Sequence, residues 1–467
     1  ADGCATSQLD SDNDGVADDV DECPDTPAGE SVDSSGCHGG AVVTWGNSDW
    51  GGDSSSVSTE LISGVVDIYS NRFAFAALKS DGSVVTWGGN SCQNKCGGDS
   101  GLVSAELSSG VVDIYSTEQA FAALKDDGSV ITWGESSSGG DSSSVSINLA
   151  SGIQDISSTK NAFAALHLDG SVVTWGYSSF GGDSSSVSSE LANDVVKIFS
   201  NERAFAALKS DGSVVTWGEP SQGGSSNSVS SALSSGVVHV YSTDLAFAAL
   251  KSDGSVITWG QSGHGSDSSS VNSELSSGVV EIYSVSNAFA ALKSDGSVVT
   301  WGRGGSSGGG GDSSSVSSEL NSGVIDIFSS FNAFAALKSD GSVVTWGHSD
   351  YGGDSSSVST DLASGVVHIT PGRYAFAALK SDGSVIAWGG NGGNGDIDSS
   401  SVSSELSSGV VNIYSNSLAF AAIKSDGSVI TWGESSIGGD SSSVSSELSS
   451  GVTQISSTEY AFAAIIE

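Results

Sequence analysis

A repeat of 42 residues constrains the fold of this chain more than any other feature. After residue 40, a Trp-Gly pair recurs at this spacing, with two to four additional residues in three of the intervals. All of the additional residues come directly after Trp-Gly, which places that segment in a loop. A fixed period of about 20 to 50 residues indicates a solenoid, a propeller or another array of stacked units. The repeated tryptophans are Trp45, Trp87, Trp133, Trp175, Trp217, Trp259, Trp301, Trp346, Trp388 and Trp432.

Each repeat predicts three β-strands. In one copy, apolar runs rich in Val, Ile, Phe and Trp cover residues 195–200, 204–210 and 213–218, and such runs are typical of strands. Asp211-Gly212 separates the second run from the third. Asp-Gly between two apolar runs is a strong hairpin signal, because Gly readily adopts the positive φ of a tight turn.

The serine-rich segment after each loop predicts a short helical turn. In residues 183–191, Asp183 can cap the start of a helix, and Val187 and Leu191 are four residues apart. Serine is a poor helix former, so a fourth, outer strand remains the alternative.

The two ends of the repeat array complement each other. The first copy begins with its third run, at residues 41–46, and the last copy ends with its second run, at residues 461–465. Pairing of these runs would complete a tenth hairpin and remove exposed strand edges. We therefore predict an all-β fold, in which residues 41–467 form a closed β-propeller of ten short blades with terminal strand closure. Two five-bladed rings and an open β-solenoid are the alternatives.

The repeat also resembles a known family. The run Ala-Phe-Ala-Ala-Leu-Lys-Ser-Asp-Gly-Ser-Val-Val-Thr-Trp-Gly, with a Val-rich strand before it and a Gly-rich loop after it, resembles the regulator of chromosome condensation repeat over residues 41–467. This resemblance implies a β-propeller. The copies are shorter than the blades of that family and lack its Gly-x-x-His before the Ala-Leu strand. We do not transfer its chromatin or GTPase partners, because function does not follow from fold alone.

Residues 1–40 form a separate acidic segment that predicts a Ca²⁺ site. Alternating carboxylates followed by Gly15 can converge on a cation that takes about six to eight oxygen ligands. Their spacing follows the order of an EF-hand loop. The stretch through Cys37 resembles a thrombospondin type 3 repeat, which implies a calcium-dependent spacer. A solvated acidic linker is the alternative. The expected ligands are Asp10, Asp12, Asp14, the Val16 carbonyl, Asp18 and Asp21.

The five cysteines fall into two groups. Pairing of Cys23 with Cys37 would leave Cys4 without a partner, so we expect that the natural polypeptide continues upstream and that Cys4 is bonded there or to another chain. Cys92 and Cys96 lie in the four-residue insertion and predict a local disulfide. A metal site at this Cys-x-x-x-Cys is the alternative.

The charge balance excludes several partners. The chain has 55 acidic and 15 basic residues, a net charge of −40, which repels phosphates and anionic membranes and argues against nucleic-acid binding. Apolar runs of about five residues are too short to span a bilayer, so we expect no direct membrane insertion. The absence of Met indicates a processed chain. Together with the clustered cysteines, this composition predicts an extracellular or cell-surface protein.

The sequence shows no catalytic constellation. Repeated Asp residues, such as Asp53 and Asp211, are expected to stabilise turns and helix starts, and repeated Lys residues, such as Lys79, to pair with them. The repeated Trp residues are expected to pack between blades, although a ring of sugar-binding platforms is the alternative. We therefore expect no enzyme activity.

The repeats differ from one another mainly in two loops, the one after Trp-Gly and the one after the first strand. Diverse loop tips on a rigid scaffold form a reasonable recognition surface, with neutral drift as the alternative. We predict a non-enzymatic adhesive or structural protein that binds other protein subunits or extracellular glycans and can assemble with itself into a filament or matrix. A lectin-like carbohydrate-binding propeller is the second hypothesis. The candidate binding residues are Trp50, Arg72, Tyr177, Phe180, His264, His348, Tyr351 and Arg373.

Overall fold

The computed structural model describes residues 39–89, 92, 96–304, 309–390 and 399–466. Regular structure in these residues consists of β-strands and short 3₁₀ turns. The predicted Ca²⁺ ligands and the Cys23–Cys37 pair lie outside the described residues.

Three kinds of strand follow one another along the chain. We call them inner, middle and outer strands, because their positions in the molecule differ as shown below. The inner strands are β2 (Val65–Ser70), β5 (Val111–Ser116), β8 (Ile153–Ser158), β11 (Val195–Ser200), β14 (Val237–Ser242), β17 (Val279–Val285), β20 (Val324–Ser329), β23 (Val366–Pro371), β26 (Val410–Ser415) and β29 (Val452–Ser457). The middle strands are β3 (Ala74–Lys79), β6 (Ala120–Lys125), β9 (Ala162–His167), β12 (Ala204–Lys209), β15 (Ala246–Lys251), β18 (Ala288–Lys293), β21 (Ala333–Lys338), β24 (Ala375–Lys380), β27 (Ala419–Lys424) and β30 (Ala461–Ile466). The outer strands are β1 (Ala41–Gly46), β4 (Val84–Gly88), β7 (Val130–Gly134), β10 (Val172–Gly176), β13 (Val214–Gly218), β16 (Val256–Gly260), β19 (Val298–Gly302), β22 (Val343–Gly347), β25 (Val385–Gly389) and β28 (Val429–Gly433).

These strands form ten three-stranded antiparallel sheets. Nine sheets contain consecutive strands, whereas the terminal sheet has the order β1-β30-β29 and joins the two ends of the repeat array. In this sheet Trp45 lies opposite Phe462, the same register as Trp217 opposite Phe205 in an internal sheet. The predicted pairing of the terminal strands is therefore confirmed.

The core lies between neighbouring sheets. Middle strands are buried on both faces, and their small Ala side chains let the next sheet approach closely. In one interface, Ala204 and Ala206 of one sheet pack against Phe247 and Trp259 of the next. The Trp259 indole N–H also donates to the Gly223 carbonyl at 3.1 Å. The prediction that the repeated tryptophans form the packing between sheets is confirmed.

The packing returns from the last sheet to the first. The terminal sheet packs against β26–β28 on one side and against β2–β4 on the other. In all ten sheets, the first N–H of the inner strand donates to a glycine carbonyl of the preceding sheet. In nine of these bonds the acceptor is the glycine of an Asp-Gly turn, such as Gly82 for Val111. In the terminal sheet the Gly40 carbonyl takes this place and accepts the Val65 N–H. The sheets therefore follow one another in a cyclic order.

The inner strands lie closest together. Inner strands of neighbouring sheets contact each other. Their serine hydroxyls donate to the preceding inner strand, as in Ser70 to the Ser457 carbonyl at 2.6 Å and Ser116 to the Ser70 carbonyl at 3.0 Å. The loops after these strands, here called tip loops, are joined by backbone hydrogen bonds such as Glu118 N–H to the Lys160 carbonyl at 2.9 Å. Inner strands and tip loops thus join each sheet directly to its neighbours.

The serine-rich segments contain 3₁₀ turns, which agrees with the predicted short helical turn. Asp183 accepts the Ser185 N–H at 2.9 Å in an Asx turn and does not cap the helix, because Ser184 occupies the N-cap position and makes no side-chain capping bond. The 3₁₀ turns are Ser48–Trp50, Ser55–Val57, Gly101–Val103, Glu106–Ser108, Ser136–Ser138, Ser143–Val145, Ser178–Phe180, Ser185–Val187, Pro220–Gln222, Asn227–Val229, Ser262–His264, Ser269–Val271, Glu274–Ser276, Ser314–Val316, Glu319–Asn321, Ser349–Tyr351, Ser356–Val358, Asp361–Ala363, Ser400–Val402, Glu405–Ser407, Ser435–Ile437, Ser442–Val444 and Glu447–Ser449.

The expected charge pairing of the repeated lysines with the turn aspartates is supported at Asp211, whose pKa is lowered by hydrogen bonds from Ser213 and also by the charge of Lys209. The Asp81 carboxylate accepts the Ser83 N–H at 2.8 Å within its own turn. The Lys79 ammonium donates to the Glu60 carbonyl at 3.0 Å, and Lys209 and Lys251 make the equivalent bond to Glu190 and Ala232. Carbonyls at the end of a helical turn lack partners within the turn, which makes them good acceptors.

Asp194 is the one described residue other than glycine with positive φ, at 64°. The other nine repeats have glycine here, for example Gly236 with φ 78°. Because this backbone region disfavours residues with a Cβ atom, we expect Asp194→Gly to raise the free energy of unfolding by about 1 kcal/mol. Urea denaturation of this variant beside the reciprocal variant Gly236→Asp would test it, and a destabilised Asp194→Gly would contradict it.

Candidate functional site

One end of the array, here called the tip face, brings together the two variable loops. It consists of the tip loops and the 3₁₀ turns after the outer strands. The antiparallel order of each sheet places both loops at the same end, and the backbone joins them, as in Asn47 N–H to the Tyr460 carbonyl at 3.0 Å. The predicted recognition loops therefore form one continuous surface.

All four arginines of the chain lie on this face. Arg72, Arg203 and Arg373 belong to tip loops, and Arg303 directly follows an outer strand. The Glu459 carboxylate, with a side chain only 12% exposed, pairs with both Arg72 and Arg373. The Arg373 contact measures 2.6 Å although the two residues are two repeats apart. The tip loops therefore lie close enough for side chains to bridge two repeats.

The first aromatic cluster joins the terminal sheet to the sheet that follows it. Trp50 stacks on Phe73 with ring centroids 4.4 Å apart and meets the edge of Tyr460 at 4.3 Å. The Arg72 guanidinium lies 5.4 Å from the centre of the Phe73 ring. This cluster combines an aromatic surface with a partly exposed cation.

The second aromatic cluster surrounds Arg373. Its guanidinium lies 4.9 Å from the centre of the Phe331 ring, and Tyr351 stacks on Tyr374 at 4.9 Å. His348 meets the edge of Tyr351 at 5.2 Å. The pKa of Tyr351 is raised, first by its burial. Like the first cluster, it combines aromatic rings with an arginine.

The remaining candidate binding residues lie farther around the same face. Tyr177 and Phe180 are in edge contact at 5.3 Å, and the Arg203 guanidinium lies 4.8 Å from the centre of the Phe180 ring. His264 Nδ1 is 3.0 Å from the Ser286 carbonyl of the next sheet. All eight candidates thus occupy the tip face, seven of them in three groups and His264 apart from these, and their role in binding stays a prediction.

Sequence reasoning missed several members of these groups. Arg203, Phe331 and Tyr460 were not predicted, although they lie in the same variable loops as the residues that were. A position-by-position comparison of the tip loops would have found them, because an Arg or a large aromatic residue there stands out against the Ser, Asn and Thr of other repeats.

The insertion after Trp87 also lies beside a tip loop. It contains a disulfide between Cys92 and Cys96, the pair predicted from the sequence. The Cys96 carbonyl accepts the Asn71 side-chain N–H at 2.7 Å. The disulfide therefore supports the loop that carries Arg72.

Asp244 makes the tip face sensitive to pH. Its pKa is raised to about 6, first by burial and then by the charge of Glu202, and this shift is opposed by His264, Lys160 and Arg373. An unfolded Asp titrates near about 3.9, so the folded protein binds this proton more tightly. The contribution of Asp244 to stability is therefore greatest below about pH 4 and is lost as the pH rises to about 6.

We accordingly expect Asp244→Asn to stabilise the protein at pH 7.5 and to change nothing at pH 3.5. The gain should be about 1 kcal/mol, since partial contact with solvent weakens the effect. Asp211→Asn is the matched control. It should destabilise the protein at pH 7.5, because hydrogen bonds from the Ser213 side chain and backbone lower the pKa of Asp211. Urea denaturation at both pH values measures these differences. A gain for Asp244→Asn that persists at pH 3.5 would contradict the titration account.

The described part of the chain lacks a metal-binding cluster and a membrane-spanning helix. It contains no group of three or more His, Cys, Asp or Glu side chains arranged to hold a metal ion. It also contains no helix that is long and apolar enough to cross a membrane.

Comparisons with known proteins give limited similarity. No family model matches the chain. A segment of 34 residues is 65% identical to outer membrane porin F of Pseudomonas aeruginosa, which is 7% of this chain and 10% of the porin. Among solved structures, Prp20p of Saccharomyces cerevisiae is 14% identical over 67% of this chain and 82% of its own, with a TM-score of 0.34.

Two other solved structures score similarly. Yeast RCC1 (Prp20), in a structure with Kap60, is 12% identical over 92% of this chain and 90% of the matched chain, with a TM-score of 0.38. The CRINKLY WD40 ectodomain of the Arabidopsis thaliana receptor kinase ACR4 is 16% identical over 61% of this chain and 95% of its own, with a TM-score of 0.30. These scores are too low to support a fold, so the fold rests on the hydrogen bonds described above.

Proposed function

We propose that this chain is a non-enzymatic, protein-binding β-propeller that acts outside the cell and binds its partners through the tip face. The ten sheets would be the blades of one closed ring. The cyclic packing order and the ten equivalent bonds from inner strands to glycine carbonyls support a single ring. Two five-bladed rings would interrupt that order, and an open solenoid would separate Ser70 from Ser457, which are joined by a hydrogen bond of 2.6 Å.

The composition of the tip face carries this proposal. Binding hot spots in protein interfaces are enriched in Trp, Tyr and Arg. In a chain with a net charge of −40, all four arginines lie on this face, and Trp50, Tyr351, Tyr374 and Tyr460 lie beside Arg72 and Arg373. Such a concentration on one end of a rigid scaffold favours a partner that is a folded protein.

An extracellular setting follows from the chemistry of the chain. The acidic segment of residues 1–40 would bind Ca²⁺ through the ligands expected above and act as a stalk, and the disulfide between Cys92 and Cys96 suits an oxidising compartment. Many weak contacts on one rigid ring would support adhesion or assembly into a matrix or filament, because multivalent contacts increase the overall binding strength.

Competition between chains tests the role of the tip face. The full chain, immobilised on a column, is exposed to extracellular proteins from its source, and bound proteins are displaced with free wild-type chain or with variants. We expect Tyr351→Ser to lose at least tenfold in displacing power. Ser357→Ala, an exposed rim position, is the control and should displace like the wild type. Equal displacement by both variants would exclude the tip face as the binding surface.

A lectin-like propeller is the second candidate function. Grooves at equivalent places between neighbouring sheets favour it, with volumes of about 510 Å³ beside Trp87 and about 430 Å³ beside Thr345. The repeated Trp rings are buried between sheets and cannot serve as sugar platforms. Saturable binding of several sugar equivalents per chain on a glycan array would support this candidate. Absence of binding across a broad array would exclude it.

Removal of calcium should affect only the acidic segment. We expect chelation with EGTA to expose residues 1–40 to proteolysis, because unneutralised carboxylates repel one another. The repeats should remain resistant, since their core consists of apolar contacts between sheets. Hydrogen exchange with and without EGTA maps the change. Loss of protection in the sheets would show that calcium also stabilises the repeats.

A further inference from the structure

One groove on the outer rim differs from its equivalents in the other repeats. It lies between the serine-rich segment at residues 99–106 and the outer strand β7 of the following sheet, and it has a volume of about 750 Å³. The equivalent grooves beside Ser56 and Ser315 are smaller, at about 510 and 430 Å³. Leu102 stands at the border of the larger groove.

Leu102 is an exception within the repeat. It directly precedes the valine of the serine-rich segment, and the other nine repeats have serine at this position. Its side chain is 101% exposed, so it contributes no packing to the fold. Ile147, which is 90% exposed, is the neighbour in sequence of the groove residue Ser146. A large aliphatic side chain in place of serine gives this groove an apolar border that the repeat itself does not require.

The remaining lining of the groove is apolar in the middle and acidic around it. Val103, Val130 and Ile131 line the groove, and Val130 is only 7% exposed. Asp99, Glu106 and Asp141 surround these residues, and the lining contains no Lys or Arg. An apolar group with positive charges beside it would complement both features.

We propose that this rim groove is a docking site for an apolar side chain of a partner protein that is flanked by lysine or arginine. Leu102 and Val130 provide the apolar contact, and the three carboxylates select for the flanking cations. The site is independent of the tip face, so failure of one proposal does not affect the other. Because only this repeat carries Leu102, the chain has one such site.

Two variants test whether Leu102 makes this groove a binding site. Leu102→Ser restores the residue found in the other repeats and should leave the fold unchanged. Ser315→Leu transfers the apolar border to the groove beside Val316 and Glu319. The probe is a fluorescein-labelled peptide, Lys-Lys-Leu-Phe-Lys-Lys, and the control peptide Lys-Lys-Ser-Ser-Lys-Lys has the same charge. Fluorescence anisotropy of the full chain at physiological ionic strength measures binding.

We expect one equivalent of the Leu-Phe peptide to bind per wild-type chain. Leu102→Ser should weaken binding about tenfold or more, since burial of a leucine side chain contributes at least that factor. Ser315→Leu should add a second equivalent. Binding that is unaffected by Leu102→Ser, equal binding of the Ser-Ser peptide, or no binding of the Leu-Phe peptide would overturn the proposal. Self-association of the wild type that Leu102→Ser abolishes, measured by sedimentation, would instead identify a second copy as the occupant and overturn it as well.

Discussion

Trp45→Ala is expected to destabilise the protein as much as Trp217→Ala, by about 3 to 5 kcal/mol. Trp45 belongs to the terminal sheet and Trp217 to an internal one, yet both side chains are 2% exposed. Trp45 stacks on Phe462 at 5.3 Å and donates to the Gly438 carbonyl at 3.1 Å. Trp217 stacks on Phe205 at 5.1 Å and donates to the Gly181 carbonyl at 3.0 Å.

This comparison separates a closed array from an open one. In an open array β1 would be a free terminal strand, and truncation of its tryptophan would cost less than about 1 kcal/mol, because frayed ends contribute little to global stability. In a closed array the two positions are equivalent. Urea denaturation of both variants measures the two losses. A Trp45 variant that unfolds like the wild type while the Trp217 variant is strongly destabilised would show that the ends do not pair.

Gly181→Ala is expected to cost about 3 kcal/mol or more. Gly181 has a φ of +95°, and a Cβ atom there would lie 2.5 and 2.7 Å from two carbons of the Phe205 ring. Phe205 is fully buried and stacked on Trp217, so the ring has no room to move. The substitution therefore combines a disfavoured backbone conformation with overpacking of the core.

Gly263→Ala is the matched control for this variant. Gly263 lies in the corresponding 3₁₀ turn two repeats further along the chain, Ser262–His264, and a Cβ atom there would meet nothing within 4 Å. We expect a change within about 0.5 kcal/mol, as is usual for exposed surface positions. Thermal denaturation of both variants distinguishes the two sites. Similar melting temperatures for both would mean that the loop carrying Gly181 does not pack on Phe205.

Much of the fold could be predicted from the sequence, because its determinants are local. The apolar runs and the Asp-Gly pairs define the three strands and the turn in each repeat. The pairing of β1 with β30 also followed, since each end of the array lacks the strand that the other end supplies. The burial of the tryptophans followed from their fixed place beside β-branched residues.

The rest depends on distances between sheets, which a sequence does not contain. The pairing of Glu459 with Arg373 crosses two repeats and requires the narrow spacing of the tip loops. The hydrogen bond from Lys79 to the Glu60 carbonyl was not predicted, because it joins residues that are 19 positions apart in the sequence. The aromatic clusters around Arg72 and Arg373 likewise form between loops of neighbouring sheets, so the separate loops gave no sign of their contacts.

Amide hydrogen exchange in β1 tests closure of the array most directly. The account predicts that the backbone amides of Val43 and Trp45, which lie opposite Ala464 and Phe462, exchange as slowly as those of Val215 and Trp217 in an internal sheet. Slow exchange at both places means that β1 is released only when the whole protein unfolds. Exchange of the β1 amides that is orders of magnitude faster than that of the internal pair would show that β1 is a free end and that the ring is open.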